Sequence, residues 1–132
     1  QRPAGIEIDT GPYPGFPTDL QSVFLAAEAA GSGESRFRET VYEARFEAAM
    51  RLAAFGADVS VQKDTAIIKG RYPLLPGIAE TPDLRGGAAL LVAALAADGL
   101  SVIADRGHLS RGYEDIGRDL RKLGADIEEC EL

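Results

Sequence analysis

One aspartate and three arginines stand out because of the spacing that they share. Asp19 opens a predicted helix, and Arg85 opens another one, 66 positions further along the chain. Arg45 and Arg111 are also 66 positions apart, each just before a predicted helix or in its first turn. A carboxylate can accept a proton, and guanidinium groups bind phosphates and carboxylates through paired hydrogen bonds. The pattern therefore predicts a site in which a base and three cations face an anionic substrate.

The segment before Asp19 is unusually rigid. "GPYPGFP" (11–17) contains three prolines and two glycines in seven residues. Each proline fixes φ and biases the preceding residue towards an extended shape. We therefore expect a stiff loop that holds Asp19 in one place. The plainer alternative is an ordinary capped helix, with Thr18 as the N-cap and Asp19 at the positive end of the helix dipole.

The composition is that of a single globular domain. The 132 residues are 45% hydrophobic and 27% charged, and the net charge is −7. An acidic chain lacks the basic face that nucleic acids or membrane surfaces require. The single cysteine, Cys130, cannot form an internal disulfide, which suits a reducing compartment. We expect a cytoplasmic protein without metal or cofactor, and with no partner among nucleic acids or membranes.

An internal repeat sets the fold class, which we predict to be α/β. "GADV" at 56–59 returns as "GADI" at 124–127, and the two repeats are expected to span about 5–72 and 76–132. Each repeat has the order strand, helix, strand, helix, strand, and the first has a further strand. The predicted strands are 6–9, 35–38, 58–62, 65–69, 100–104 and 126–129. Four helices are predicted: 19–30, a second one closed by Gly56, 84–97 and 113–123. The helix at 84–97 should be buried, because it is apolar on nearly all sides. The helix at 113–123 should point Ile116, Leu120 and Leu123 inward.

Four stretches carry a resemblance to a known family. They are "FPTDLQ" (16–21), "ETVYEARF" (39–46), "DLRGGAALLVAALAADG" (83–99) and "HLSRGYEDIGRDLRKLGADIE" (108–128). Together they resemble the C-terminal part of the UDP-N-acetylglucosamine 1-carboxyvinyltransferases, the enolpyruvyl transferases of peptidoglycan synthesis. The related enolpyruvylshikimate-phosphate synthases share the repeat architecture but do not carry this set of phrases.

The resemblance implies an architecture and a reaction. The family fold has two inside-out α/β domains of three repeats each, and this chain matches two repeats of one domain. The reaction moves the enolpyruvyl group of phosphoenolpyruvate to the 3′-hydroxyl of UDP-N-acetylglucosamine. The family's proton-donor loop and its Lys-Asn pair lie in the other domain. We therefore expect the 132-residue chain alone to be inactive, and either to self-associate or to be only marginally stable.

The resemblance also implies roles for particular residues. Asp19 would take the proton of the sugar hydroxyl. Arg85 and Arg111 would hold the phosphate and carboxylate of phosphoenolpyruvate, and Arg45 would add positive potential nearby. Val41 and Tyr42 would lie against the sugar nucleotide.

Some positions depart from the family or stay outside this site. Ala44 stands where the family more often has Asn, and Ser110 where Asp is common. Cys130 matches no proton-donor loop, and His108 is not expected to touch substrate although it lies near Arg111. Two other functions remain open from the residues alone: a non-catalytic module that binds a nucleotide sugar or phosphate, and an α/β interaction domain with surface arginines.

Overall fold

The computed structural model describes residues 4–11, 15–40, 46–105 and 107–129, apart from the side chains of Thr18, Asp19 and Ser110. Its elements, in chain order, are β1 (Glu7–Asp9), α1 (Thr18–Ala29), β2 (Glu34–Arg38), α2 (Glu47–Arg51) with a 3₁₀ turn (Leu52–Phe55), β3 (Asp58–Gln62), β4 (Thr65–Lys69), β5 (Ile78–Glu80), α3 (Leu84–Ala96), β6 (Val102–Ala104), α4 (His108–Gly112) and α5 (Ile116–Lys122).

The strands form two sheets with helices packed on one face. The larger sheet has the order β1-β2-β4-β3, in which β1 and β2 are parallel and β4 is antiparallel to both of its neighbours. The smaller sheet is the parallel pair β5-β6. Side chains alternate across a strand, so Ser35 and Phe37 of β2 are buried while Glu34, Arg36 and Arg38 are exposed. The predicted α/β class is therefore confirmed.

Helices α1 and α3 pack side by side and run in the same direction. Their carboxyl ends are held by one short segment, because the N–H of Arg71 donates to Ala29 O and the N–H of Leu74 donates to Ala96 O. Their amino ends must therefore lie together at the opposite end. The core between the helices and the sheets contains Leu25, Phe37, Leu52, Phe55, Ile68, Leu74 and Leu90, each at most 1% exposed.

Several predicted elements agree closely with the structure. The β3–β4 hairpin has the predicted bounds, with Lys63 at φ +54 in the turn. The second helix does close at Gly56, which has φ +74. Helix α3 is buried along its amino-terminal half, although Leu95 is 47% exposed. Helix α1 begins one residue earlier than expected, so that Pro17 occupies the N-cap position and Thr18 lies within the helix.

The predicted strand at 126–129 is absent, because these residues have no regular secondary structure. In the first repeat, β3 obtains its ladder hydrogen bonds from β4. No strand among the described residues pairs with 126–129, and an extended segment without a partner cannot form a ladder. The sequence pattern is strand-like, but the pairing that makes a strand is missing.

The predicted helix at 113–123 is also wrong in its extent. Only α5 (Ile116–Lys122) lies in that span, and it begins three residues late because Asp115 accepts a hydrogen bond from the N–H of Arg118 as its N-cap. The preceding α4 (His108–Gly112) was not predicted. Leu123 is 83% exposed, which contradicts the prediction that it points inward. Ile116 and Leu120 are half-buried.

Candidate functional site

The carboxyl ends of the parallel strands and the amino ends of α1 and α3 form one edge of the protein, here called the rim. Thr10 follows β1, Glu39 follows β2, Thr81 follows β5 and Asp105 follows β6. Because α1 and α3 are parallel, Asp19 in the first turn of α1 lies at this edge by its backbone. Carboxyl ends of parallel strands and helix amino ends are where α/β proteins commonly bind ligands.

The start of α3 is fixed by a side-chain cap. Oδ1 of Asp83 accepts a hydrogen bond of 2.6 Å from the N–H of Gly86. A Cβ on Gly86 would lie 2.4 Å from Cγ of Pro82, so the residue must be glycine for the chain to turn this tightly. Arg85, half-buried, is held within this first turn. Within "DLRGG", the aspartate thus caps the helix, and this glycine avoids a clash with Pro82.

Helix α4 packs directly on the start of α3. A Cβ on Gly87 would lie 3.1 Å from both Leu109 Cδ2 and Thr81 Cγ2, and a Cβ on Gly112 would meet the Leu84 side chain. The absence of a side chain at Gly87 therefore allows α4 to pack closely on α3. This packing brings the segment that carries Arg111 next to the turn that carries Arg85.

The two arginines differ in their environments. Arg111 is exposed, and within the described part of the chain it makes no ion pair. Arg85 is half-buried. Since α3 and α4 are adjacent, both arginines belong to the rim, as their spacing predicted for the backbone.

Helix α2 runs against β5 in the opposite direction. A Cβ on Gly77, before β5, would lie 2.3 Å from Ala54 O, whereas Arg51 Nη1 donates a 2.7 Å hydrogen bond to Glu80 O at the other end of β5. The amino end of α2 therefore lies towards the rim. The predicted site residues Val41, Tyr42 and Arg45 precede it and lie outside the described residues, as does the side chain of Asp19.

The rim contains one feature in duplicate that the sequence did not reveal. Thr10 donates a hydrogen bond of 2.8 Å to Glu39 Oε2, joining the ends of β1 and β2. Thr81 lies 3.1 Å from Asp105 Oδ1, joining the ends of β5 and β6 in the same way. Both threonines are nearly inaccessible, at 3% and 2% exposed. The sequence shows a threonine immediately after the first strand of each repeat. Its hydrogen-bond partner can be identified only once the pairing of the strands is known.

A second feature missed from the sequence lies two residues after Asp19. Gln21 is fully buried, and its Nε2 has no hydrogen-bond partner among the described residues, while its Oε1 accepts a hydrogen bond from Ser22 Oγ. A buried amide donor without a partner is costly.

One carboxyl group in the β3–β4 turn has a shifted pKa. The pKa of Asp64, in the β3–β4 turn, lies below its ordinary value because the Thr65 hydroxyl and then Arg38 donate hydrogen bonds to it. Within the described ranges, no three metal-ligating side chains gather to hold an ion. The same residues include no helix that is long and apolar enough to cross a membrane.

Comparison with known proteins supplies a family and several relatives. A family model described as EPSP synthase (3-phosphoshikimate 1-carboxyvinyltransferase) matches residues 1–120. UDP-N-acetylglucosamine 1-carboxyvinyltransferase 3 of Symbiobacterium thermophilum is 44% identical over 97% of the chain and 30% of its own length. UDP-N-acetylglucosamine 1-carboxyvinyltransferase of Thermotoga petrophila is 44% identical over 99% and 31%. The chain thus spans about three tenths of the length of these curated relatives.

Two solved structures of enolpyruvyl transferases also resemble this chain. The enolpyruvyl transferase NikO from Streptomyces tendae superposes with a TM-score of 0.83 at 37% identity, over 96% of this chain and 29% of that one. EPSP synthase from Acinetobacter baumannii superposes with a TM-score of 0.63 at 19% identity, which supports likeness of fold alone. The family resemblance read from the four sequence stretches is therefore confirmed.

Proposed function

Since the chain belongs to the EPSP synthase (3-phosphoshikimate 1-carboxyvinyltransferase) family, we propose that the protein containing it transfers the enolpyruvyl group of phosphoenolpyruvate to the 3′-hydroxyl of UDP-N-acetylglucosamine. The observation that carries this proposal is the 44% identity, over nearly the whole chain, to enzymes named for that acceptor. The rim supports it, since Arg85 lies in the first turn of α3 and the short helix that carries Arg111 packs beside that turn, and guanidinium groups suit an anionic substrate.

The reaction assigns a task to each proposed residue. The 3′-oxygen forms a bond to C2 of phosphoenolpyruvate, the bond from C2 to the phosphate oxygen breaks, and inorganic phosphate leaves. Asp19 accepts the hydroxyl proton, which makes the oxygen a better nucleophile. Arg85 and Arg111 bind the phosphate and carboxylate of phosphoenolpyruvate, and Arg45 adds to the positive potential. Val41 and Tyr42 lie against the sugar nucleotide.

The proposal extends to the architecture. Residues 5–72 and 76–132 are two of three repeats in one inside-out α/β barrel domain, and the other domain supplies the proton donor. The 132-residue chain alone is therefore inactive, because it lacks that donor and the wall that excludes water. The activity is placed in the cytoplasm, at the first committed step of peptidoglycan synthesis, where it would serve cell-wall biogenesis, cell shape and cell division.

The test is a phosphate-release assay on the full-length protein with phosphoenolpyruvate and each of two acceptors. We expect release with UDP-N-acetylglucosamine and none with 3-phosphoshikimate. Asp19→Asn should lower kcat by roughly 10²–10⁴-fold, the usual worth of a general base. Asp98→Asn is the control, because Asp98 is exposed and follows the carboxyl end of α3, opposite the rim. Release with 3-phosphoshikimate alone would reassign the acceptor, and binding of UDP-N-acetylglucosamine without turnover would favour the non-catalytic module.

A further inference from the structure

The Thr81 hydroxyl lies between two groups at the rim. Its oxygen is 3.1 Å from Asp105 Oδ1 and 3.0 Å from His108 Nδ1. A hydroxyl has one proton, so it can donate to one of these neighbours and must accept from the other. Which way it donates decides the tautomer of the imidazole.

The surroundings of Asp105 decide this direction. Its Oδ1 already accepts hydrogen bonds from the backbone N–H groups of His108 and Leu109, at 3.0 and 3.2 Å. An oxygen that receives two N–H groups acts as an acceptor, so the hydroxyl proton of Thr81 points to it. If the hydroxyl pointed to His108 instead, lone pairs of Thr81 and Asp105 would face each other at hydrogen-bond distance. The oxygen of Thr81 therefore accepts from the Nδ1–H of His108.

The first repeat contains the same arrangement with a different donor. There the Thr10 hydroxyl donates to Glu39, and the oxygen of Thr10 accepts from the backbone N–H of Thr40 at 2.9 Å. A backbone N–H can only donate, which fixes the direction of that chain of bonds. In the second repeat the Nδ1–H of His108 takes the place of this N–H.

We propose that Thr81 and Asp105 are positioning residues that hold His108 in the Nδ1–H tautomer, so that Nε2 presents a lone pair to a hydroxyl-bearing ligand group at the rim. His108 is half-buried and lies three residues before Arg111 on α4, so the two side chains neighbour each other on that helix. Nε2 would take a hydroxyl group while Arg111 takes an anionic one. The tautomer stands independently of the proposed function, whereas the identity of the ligand rests on it.

The decisive measurement is nitrogen-15 NMR of the full-length protein, with the His108 resonances assigned by their loss in His108→Gln. At a pH where titration of these resonances shows a neutral imidazole, Nδ1 should carry the proton and Nε2 should not. Thr81→Val removes the hydroxyl with little change of shape and should release this preference, whereas Thr81→Ser should retain it. Thr10→Val, the matched change in the first repeat, should leave His108 unaffected.

The same spectra test the proposed contact between His108 Nε2 and a ligand hydroxyl. UDP-N-acetylglucosamine should shift the Nε2 resonance of neutral His108, because its hydroxyls donate hydrogen bonds. Phosphoenolpyruvate alone, as an acceptor-only anion, should not produce this shift. An Nε2–H tautomer in the wild-type protein would overturn the positioning role, even if Thr81→Val failed to fold. The expected tautomer with no response of Nε2 to UDP-N-acetylglucosamine would overturn the ligand contact while leaving transferase activity to be judged by phosphate release.

Discussion

Oδ1 of Asp83 accepts a 2.6 Å hydrogen bond from the N–H of Gly86 and so fixes the first turn of the helix that carries Arg85. Replacing Asp83 with alanine should cost about 0.5–2 kcal/mol of stability, the usual loss for an N-cap. Asp83→Asn should recover most of it, because asparagine caps equally well. Urea unfolding followed by circular dichroism measures both. Equal loss in the two variants would mean that the carboxylate charge, rather than the cap, stabilises this turn.

The two glycines of α3 should differ in their tolerance of a methyl group. A Cβ on Gly86 would lie 2.4 Å from Pro82 Cγ, in a ring that cannot move aside, whereas the nearest atoms to a Cβ on Gly87 are 3.1 Å away. Gly86→Ala should therefore destabilise the protein by roughly 1–3 kcal/mol, as overpacking does, and Gly87→Ala by less. Gly11→Ala is the control, because no atom that the structure describes, apart from its chain neighbours, lies within 4 Å of its Cβ position. Equal unfolding midpoints for Gly86→Ala and Gly11→Ala would contradict the packing described.

Arg85 and Arg111 should matter for phosphoenolpyruvate more than for the sugar nucleotide. Lysine keeps the charge but loses the planar fork that binds a phosphate or carboxylate through two hydrogen bonds. Arg85→Lys or Arg111→Lys should raise the KM for phosphoenolpyruvate by about tenfold or more, since a hydrogen bond to a charged group contributes about 1.5–3 kcal/mol. Arg118→Lys on α5 is the control. Steady-state kinetics on the full-length protein with each substrate varied in turn would show the difference, and unchanged KM values would remove these arginines from the site.

Asp64 should titrate below its ordinary value near 3.8, because the Thr65 hydroxyl and Arg38 favour its charged form. Thr65→Val removes the larger of the two causes and should raise this pKa, whereas Thr65→Ser should keep it low. Because the pKa of Asp64 is lower in the folded state, its charged form stabilises the fold at a pH above the unfolded-state pKa. This stabilisation is lost as the pH falls through the folded-state pKa. Carbon-13 NMR of the carboxyl group against pH measures the shift. No change in Thr65→Val would assign the effect to Arg38.

The 132-residue chain alone should self-associate through the outer face of the small sheet. Ile78 is 76% exposed, it pairs with Val102, which is 48% exposed, and Leu100 beside them is 89% exposed. Adjacent exposed apolar residues on a short sheet favour association. Light scattering should give a mass that rises with concentration, and the double variant Ile78→Thr, Leu100→Thr should lower it. Leu123→Ser, at a similarly exposed leucine at the end of α5, should not. A monodisperse monomer would contradict the expectation.

Local pattern alone determined a large part of this protein. Alternating side chains and a two-residue turn gave the β3–β4 hairpin its bounds, and an apolar run with helical spacing located α3, because these elements satisfy their backbone hydrogen bonds within one short segment. The spacing of 66 residues likewise placed Asp19 and Arg85 at equivalent helix starts. The four family stretches could be read from the chain without any coordinates.

What tertiary structure decided depends on partners that are distant in the chain. The residues at 126–129 have the pattern of a strand but no neighbour to pair with, so they remain irregular. Asp115 makes α5 begin three residues later than the apolar spacing predicts, because it acts as the N-cap of that helix. The bond between Thr81 and Asp105 spans 24 residues, and it forms only because β5 and β6 align in parallel and bring their carboxyl ends together. Hydrogen bonds within a segment can be predicted from that segment, whereas those between segments require the fold.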